Sequence, residues 1–229
     1  MKVLFDSNEN PFTSSDIKHR IENFGKSYNH VVHQVIENSD RLLDKGIFRQ
    51  NIATLIPNFK MARKGPLEGI KIDEGEVQDP KGIIASCWKV VGKSAMALKE
   101  LLNQQNKGRV RVLVEMAPPV QEEVAGKLWV MFKKVVPVCM GEYTFGLVGA
   151  SKILFAILPE VALPIDNKQW LNVFRTIDYG DIIMAMTAEI TKWEERSGRL
   201  LDDCSPYENF TLPAIFNVMA MKARPGRRI

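Results

Sequence analysis

Two residues of this chain are of types that do covalent chemistry together. Lys152 carries an amine that is a nucleophile once unprotonated, and Asp166 a carboxylate able to accept a proton or balance a developing cation. Gly146-Leu147-Val148-Gly149 leads into the lysine, and Pro164-Ile165 leads into the aspartate, with Trp170 just beyond. A hairpin closed by two glycines can turn successive backbone N–H groups toward a phosphate at a helix N-terminus, with Val148 and Ser151 beside it. Such a pairing suits chemistry on the backbone or bases of DNA.

The elements that must position this pair are helices. Apolar residues at helical spacing support one helix from Ala150 to Leu158 and a second from Asn167 to Arg175, so that the lysine opens one and the aspartate the next. In a first turn, against Ile153, Leu154 and Ile157, the Lys152 amine would meet the positive end of the helix dipole and partial desolvation. Both disfavour the ammonium form. Each residue also has a purely structural reading. Asp166 with Gln169 three positions on fits a capping box, Lys152 can snorkel from a helix end, and Gly146 and Gly149 fit ordinary turns. Trp170 and Phe174, one turn apart, suit a hydrophobic core as well as a base-stacking pocket.

Further helices are expected at Asp178–Glu195 and Leu212–Met221, at Ile83–Leu102, and from Val120 to Lys134, where Glu122 and Glu123 near the start and Lys133 and Lys134 at the end match the dipole. Ser14-Ser15-Asp16 reads as a helix start, and Gly46 as the end of the helical region that follows it. Val110, Val112 and Val114 alternate, which predicts a short extended segment over Arg109–Glu115. The stretch from Pro57 to Pro80 is rich in Gly, Pro and charge and reads as a long loop. The expectation is a mainly α, two-lobed helical protein: an N-terminal lobe over 1–60, a hinge over 61–80, and a lobe over 81–229 that carries the hairpin and the candidate site.

Composition narrows the function classes. With 229 residues, 45% hydrophobic and 25% charged, the chain has the make-up of an ordinary globular protein. No run approaches the roughly 18 continuous apolar residues of a spanning helix, and the first ten residues carry acids where a signal peptide would be basic. A cytoplasmic location without membrane contact is therefore expected. Cys87, Cys139 and Cys204 are odd in number and well separated, which suits buried thiols and is too few for an iron–sulfur cluster. The net charge of +4 is matched by Lys222, Arg224, Arg227 and Arg228 in the last eight residues, a basic tail of the kind a phosphate backbone attracts; Lys133 and Lys134 extend that surface.

Several motif-like fragments lead nowhere. Gly92-Lys93-Ser94 has Cys87 where a P-loop needs its first glycine. His30 and His33 have only Glu37 on the same helix face as a third ligand, and the acids from Glu68 to Asp79 read as a solvated loop. The expected site therefore uses neither metal nor cofactor.

The stretch from Gly146 to Trp170 resembles the hairpin and active-site helix of the helix-hairpin-helix DNA glycosylases, most closely their bifunctional, 8-oxoguanine-type members. In that family a glycine-rich hairpin is followed by a catalytic lysine, and a Pro-x-Asp motif with a nearby tryptophan opens the next helix. Here those elements are Gly146 to Gly149, Lys152, Pro164-Ile165-Asp166 and Trp170. The hairpin lacks the family's customary proline, the lysine-to-aspartate segment is shorter, and Asn167-Lys168 follow the aspartate in place of valine and histidine. The resemblance implies a glycosylase, with or without a following lyase step, that excises a damaged or modified base from duplex DNA. Lys152 and Asp166 would be catalytic; Gly146, Val148, Gly149, Ser151, Lys133 and Lys134 would hold DNA; Trp170 and Phe174 would line the base pocket. Two other readings stay open: a non-catalytic helical module that keeps the hairpin for DNA or protein binding, and a metal-dependent helical nuclease built on Asp178, Asp181 or Asp202-Asp203.

Overall fold

Local capping sets the helix starts. The Thr13 hydroxyl accepts from the Asp16 N–H at 3.1 Å while Asp16 reaches back to the Thr13 N–H, and this capping box opens α1 (Ser14–Glu22). α2 (Lys26–Asn38) follows. Asp44 accepts from the Ile47 N–H at 2.8 Å and opens α3 (Lys45–Asn58). Gly46, expected to end a helical region, is thus the second residue of a new one; the aspartate cap outweighs the glycine. The computed structural model describes residues 2–39, 43–105, 107–142 and 144–222.

The connection from Met61 to Pro80 is more ordered than a loop. It holds a 3-10 turn at Met61–Arg63 and a two-stranded antiparallel ribbon, β1 (Lys71–Asp73) and β2 (Glu76–Gln78). Glu74 and Gly75 turn the ribbon with positive φ of 49° and 82°, as a tight two-residue hairpin requires. The ribbon packs on α3, where Arg49 donates to the Val77 carbonyl at 3.3 Å. Asp79 then accepts from the N–H groups of Ile83 and Ala85, starting α4 (Ile83–Gln104).

Residues 109–115 are not extended as the valine alternation predicts. They contain one helical turn, α5 (Val112–Glu115), in which Val112 and Leu113 are both buried, a pattern that a strand with alternating faces cannot produce. Arg111 fixes the turn by pairing with Glu194 at 2.9 Å, with Asp202, and with Glu115 at 3.1 Å. α6 (Pro118–Val138) opens with Pro118 and Pro119 in its first turn, where their missing N–H groups are not needed. After a hairpin of β3 (Met140–Gly141) and β4 (Thr144–Phe145) come α7 (Leu147–Ile157) and α8 (Asn167–Gln169), which runs into a π-turn at Trp170–Phe174. Asp178 caps α9 (Tyr179–Ser197), and α10 (Leu212–Lys222) completes the described chain.

The architecture is mainly α, as the periodicity predicts. Its centre is α7: every residue from Gly149 to Ile165 is buried. A helix that is apolar on all sides must be covered on all sides. α3 and α6 pack on α7, α4 and α9 pack on α6, and α1 packs on α10. A single apolar core joins residues on both sides of the 61–80 connection, from Val3 to Ala220. Among the described residues no helix is long and apolar enough to cross a membrane. Inside the core, Glu160 at 1% side-chain exposure pairs with Lys99 and, at 2.9 Å, with Arg109, whose guanidinium also reaches Ile36 and Ser39. Such a cluster persists only because its charges compensate one another.

Candidate active-site cleft

The route into the site begins at Gly146. Its φ is +72°, and a Cβ there would lie 2.2 Å from the Val136 carbonyl oxygen, so only glycine passes between the end of α6 and the start of α7. This corrects the expected hairpin. The hairpin pairs Met140–Gly141 with Thr144–Phe145, and Gly146 to Gly149 are the N-cap and first turn of α7. Gly149 is an ordinary helical residue there for reasons of space, since an added Cβ would lie 2.9 Å from the Cys139 Cβ.

Because α7 starts three residues earlier than the periodicity predicts, Lys152 is its sixth residue and not part of its first turn. The helix dipole acts mainly over the first turn, so the expected dipole effect on this amine does not carry over. Burial does. Lys152 is only 4% exposed, and its Nζ lies 3.6 Å from the centroid of the Phe59 ring at the end of α3. Asp166 takes extended backbone angles as the N-cap of α8. Its Oδ1 accepts the Gln169 N–H at 3.1 Å, and Gln169 Oε1 accepts the Asp166 N–H at 2.7 Å, which is the capping box foreseen from the sequence.

Lys152 and Asp166 line the same cleft, of about 800 Å³. Its other walls come from segments far away in sequence: Phe24 and Tyr28 around α2, Phe59 after α3, and Asn217 on α10. Phe24 and Phe59 both meet the Tyr28 ring edge-on, with centroids 4.6 and 5.6 Å away. A polar chain runs along the wall. Gln169 Nε2 donates to Asn217 Oδ1 at 3.2 Å, and Asn217 Nδ2 donates to the Tyr28 hydroxyl. Burial pushes the Tyr28 phenol well above its ordinary pKa, with the Asn217 hydrogen bond opposing, so it is a neutral hydroxyl at any physiological pH.

Of the remaining predicted site residues, one lines the cleft and the others lie elsewhere. Val148 lines the cleft. Ser151 is fully buried: its Oγ donates toward the carbonyls of Val148 and Ile165 at 3.0 and 3.1 Å and accepts the Ile165 N–H at 3.0 Å. It ties α7 to the segment that presents Asp166 and is not part of the cleft lining. Trp170 is 4% exposed and packs with Phe132 and Tyr179 in a core cluster, so it is no base platform; Phe174 is half-buried, and neither lines the cleft. Lys133 and Lys134 are exposed on α6, away from the cleft lining, with Lys133 resting 5.0 Å from the Trp129 ring. Asp178 caps α9 and Asp202 pairs with Arg111, which accounts for two of the acids considered for a nuclease. Among the described residues no group of three or more His, Cys, Asp or Glu comes together as a metal site. The basic tail beyond Lys222 lies outside the described residues.

The aromatic and amide walls went unread in the sequence because no local motif marks them. Phe24, Tyr28, Phe59 and Asn217 converge only through the packing of α2 and α3 on α7 and through the return of α10. Comparison of the chain with protein-family models, with curated proteins and with solved structures finds no match.

Proposed function

We propose that the chain is a DNA glycosylase that excises a damaged or modified base through Lys152 and Asp166, with duplex DNA carrying a flipped nucleotide as its partner and the cytoplasm as its place of action. The observation that carries the reading is a withdrawn amine and a carboxylate on one cleft, beside three aromatic rings and large enough for a nucleotide. In this reaction the Lys152 nitrogen forms a bond to C1′ of the extruded nucleotide. The bond from C1′ to the base breaks, and its electron pair leaves with the base. Asp166 accepts a proton from the attacking amine and balances the positive charge that develops on the sugar. Collapse of the adduct to an iminium opens the sugar ring and makes the C2′ proton acidic, after which loss of the 3′ phosphate by β-elimination cleaves the strand. If Asp166 activates water instead, the base is released without strand cleavage.

The second reading, a non-catalytic module, is favoured by a different observation: the Asp166 carboxylate is already engaged in capping α8. Incubation with a duplex containing an abasic site, followed by borohydride, separates the two. The catalytic reading expects a covalent protein–DNA adduct that is lost in Lys152→Ala and in Lys152→Met, the latter keeping the apolar stem in its buried place. Absence of the adduct in the unmodified protein removes the lyase step, and absence of duplex binding as well removes the nucleic-acid reading.

A further inference from the structure

The hydrogen-bond chain in the cleft wall has a direction that its first member imposes. A backbone N–H can only donate, so the Gln169 atom 2.7 Å from the Asp166 nitrogen is the amide oxygen. The Gln169 NH₂ therefore faces Asn217, which must answer with its own amide oxygen at 3.2 Å. That turns the Asn217 NH₂ toward Tyr28, whose oxygen accepts from it. A phenol that accepts from this neighbour has one proton left, and it must point elsewhere. Tyr28 and Asn217 both line the cleft, so the wall offers an O–H donor whose polarity is set from the cap of α8 through Gln169 and Asn217.

We propose that Tyr28 is the specificity-determining donor of this cleft and that it selects an extruded base presenting a keto oxygen over one presenting an exocyclic amine. The inference deepens the glycosylase reading and rests on it. A keto oxygen completes the relay with a hydrogen bond from the phenol. An amino group meets donor against donor, and the buried phenol proton is left without an acceptor, which is the situation that discriminates most strongly between similar ligands. The surroundings suit a flat heterocycle: Phe24 and Phe59 flank Tyr28, and Phe59 also covers the Lys152 amine, so the donor and the reactive nitrogen share one ring as a common wall. The raised pKa of the phenol agrees with a hydroxyl that stays protonated and donates.

The test measures the affinities of hypoxanthine and of adenine, which differ at C6 in a keto oxygen against an amine, for the full chain bound to a duplex carrying a tetrahydrofuran abasic analogue. Hypoxanthine is expected to bind about ten- to a hundredfold more tightly. Tyr28→Phe removes the donor and is expected to bring the two affinities together. Asn217→Asp tests the relay itself: a carboxylate cannot donate, so the phenol turns inward to it, and the preference is lost although Tyr28 remains. Equal binding of the two bases, no binding of either by a protein that forms the duplex complex, or a preference that survives Tyr28→Phe overturns the inference and leaves the glycosylase reading standing. Failure to form the duplex complex at all removes both.

Discussion

Tyr179 and Leu163 are joined by two reciprocal hydrogen bonds: the phenol donates to the Leu163 carbonyl at 2.8 Å and accepts the Leu163 N–H at 2.7 Å. Tyr179 is the first residue of α9 and stacks on Phe132 with centroids 4.7 Å apart, while Leu163 lies three residues before Asp166. Together with Ser151, which bonds both backbone groups of Ile165, and Thr211, which donates to the Pro159 carbonyl, this side chain stands in for the secondary structure that the 158–166 segment lacks. Tyr179→Phe would leave a buried N–H and a buried carbonyl without partners, at a cost of about 1–3 kcal/mol. Urea unfolding measures this, and an unchanged midpoint would mean that the segment is held without these two bonds.

Gly146 and Gly198 have similar positive φ values, +72° and +66°, in different surroundings. Around Gly198 an added Cβ meets nothing within 4 Å, whereas at Gly146 it overlaps the Val136 carbonyl oxygen. Gly198→Ala should therefore lose only the backbone strain, roughly 1–2 kcal/mol. Gly146→Ala should lose more, because the hairpin and the start of α7 must separate to make room. Equal losses in thermal or urea unfolding would show that the entry to α7 gives way freely.

What was legible in the sequence and what was not divide by range. The helix starts at Ser14 and Asp178 and the cap at Asp166 were readable because signal and helix are contiguous, and the nearness of Lys152 to Asp166 because one short stretch carries both. The offset of the hairpin was not: strands of two residues leave no alternation to read, and the glycine that resembles a hairpin closure, Gly149, is fixed by its contact with Cys139. Trp170 looked like a pocket residue because of its place after the aspartate, and only the stack of Phe132 and Tyr179 explains why it is core. Periodicity said that the segment around Val112 alternates, but Arg111, held by three acids, turns it into a helix.

Glu189 gives stability a pH dependence. Its carboxylate accepts the N–H groups of Val3 and Leu4, at 2.5 and 2.7 Å, and so ties the start of the chain to α9, while its second oxygen is buried without a partner. Desolvation raises its pKa above the ordinary 4.5, and the two backbone hydrogen bonds offset this only in part. An acid with a raised pKa in the folded state binds protons more tightly there than in the unfolded chain. Its contribution is therefore full below the unfolded value and declines as pH rises from about 4.5 through the folded value. Glu189→Gln keeps one acceptor oxygen and removes the titration, so it should flatten this decline in urea midpoints measured from pH 4 upward. A slope unchanged by the substitution would place the titration in another group.

Asp166 is where the structural and catalytic readings can be parted, because its two roles have different chemical requirements. The cap needs an oxygen at the position of Oδ1, which accepts the Gln169 N–H at 3.1 Å. Asparagine supplies it and is as good an N-cap as aspartate, so Asp166→Asn should leave unfolding within a few tenths of a kcal/mol, whereas Asp166→Ala should lose about 1 kcal/mol. Taking a proton from the Lys152 amine and balancing charge on the sugar need the carboxylate, which asparagine lacks. Base excision or borohydride trapping in Asp166→Asn should therefore fall by about 10²–10⁴-fold with the fold intact. If that variant reacts at the unmodified rate and only Asp166→Ala fails, the aspartate is a cap alone and the chemistry of the cleft belongs to Lys152.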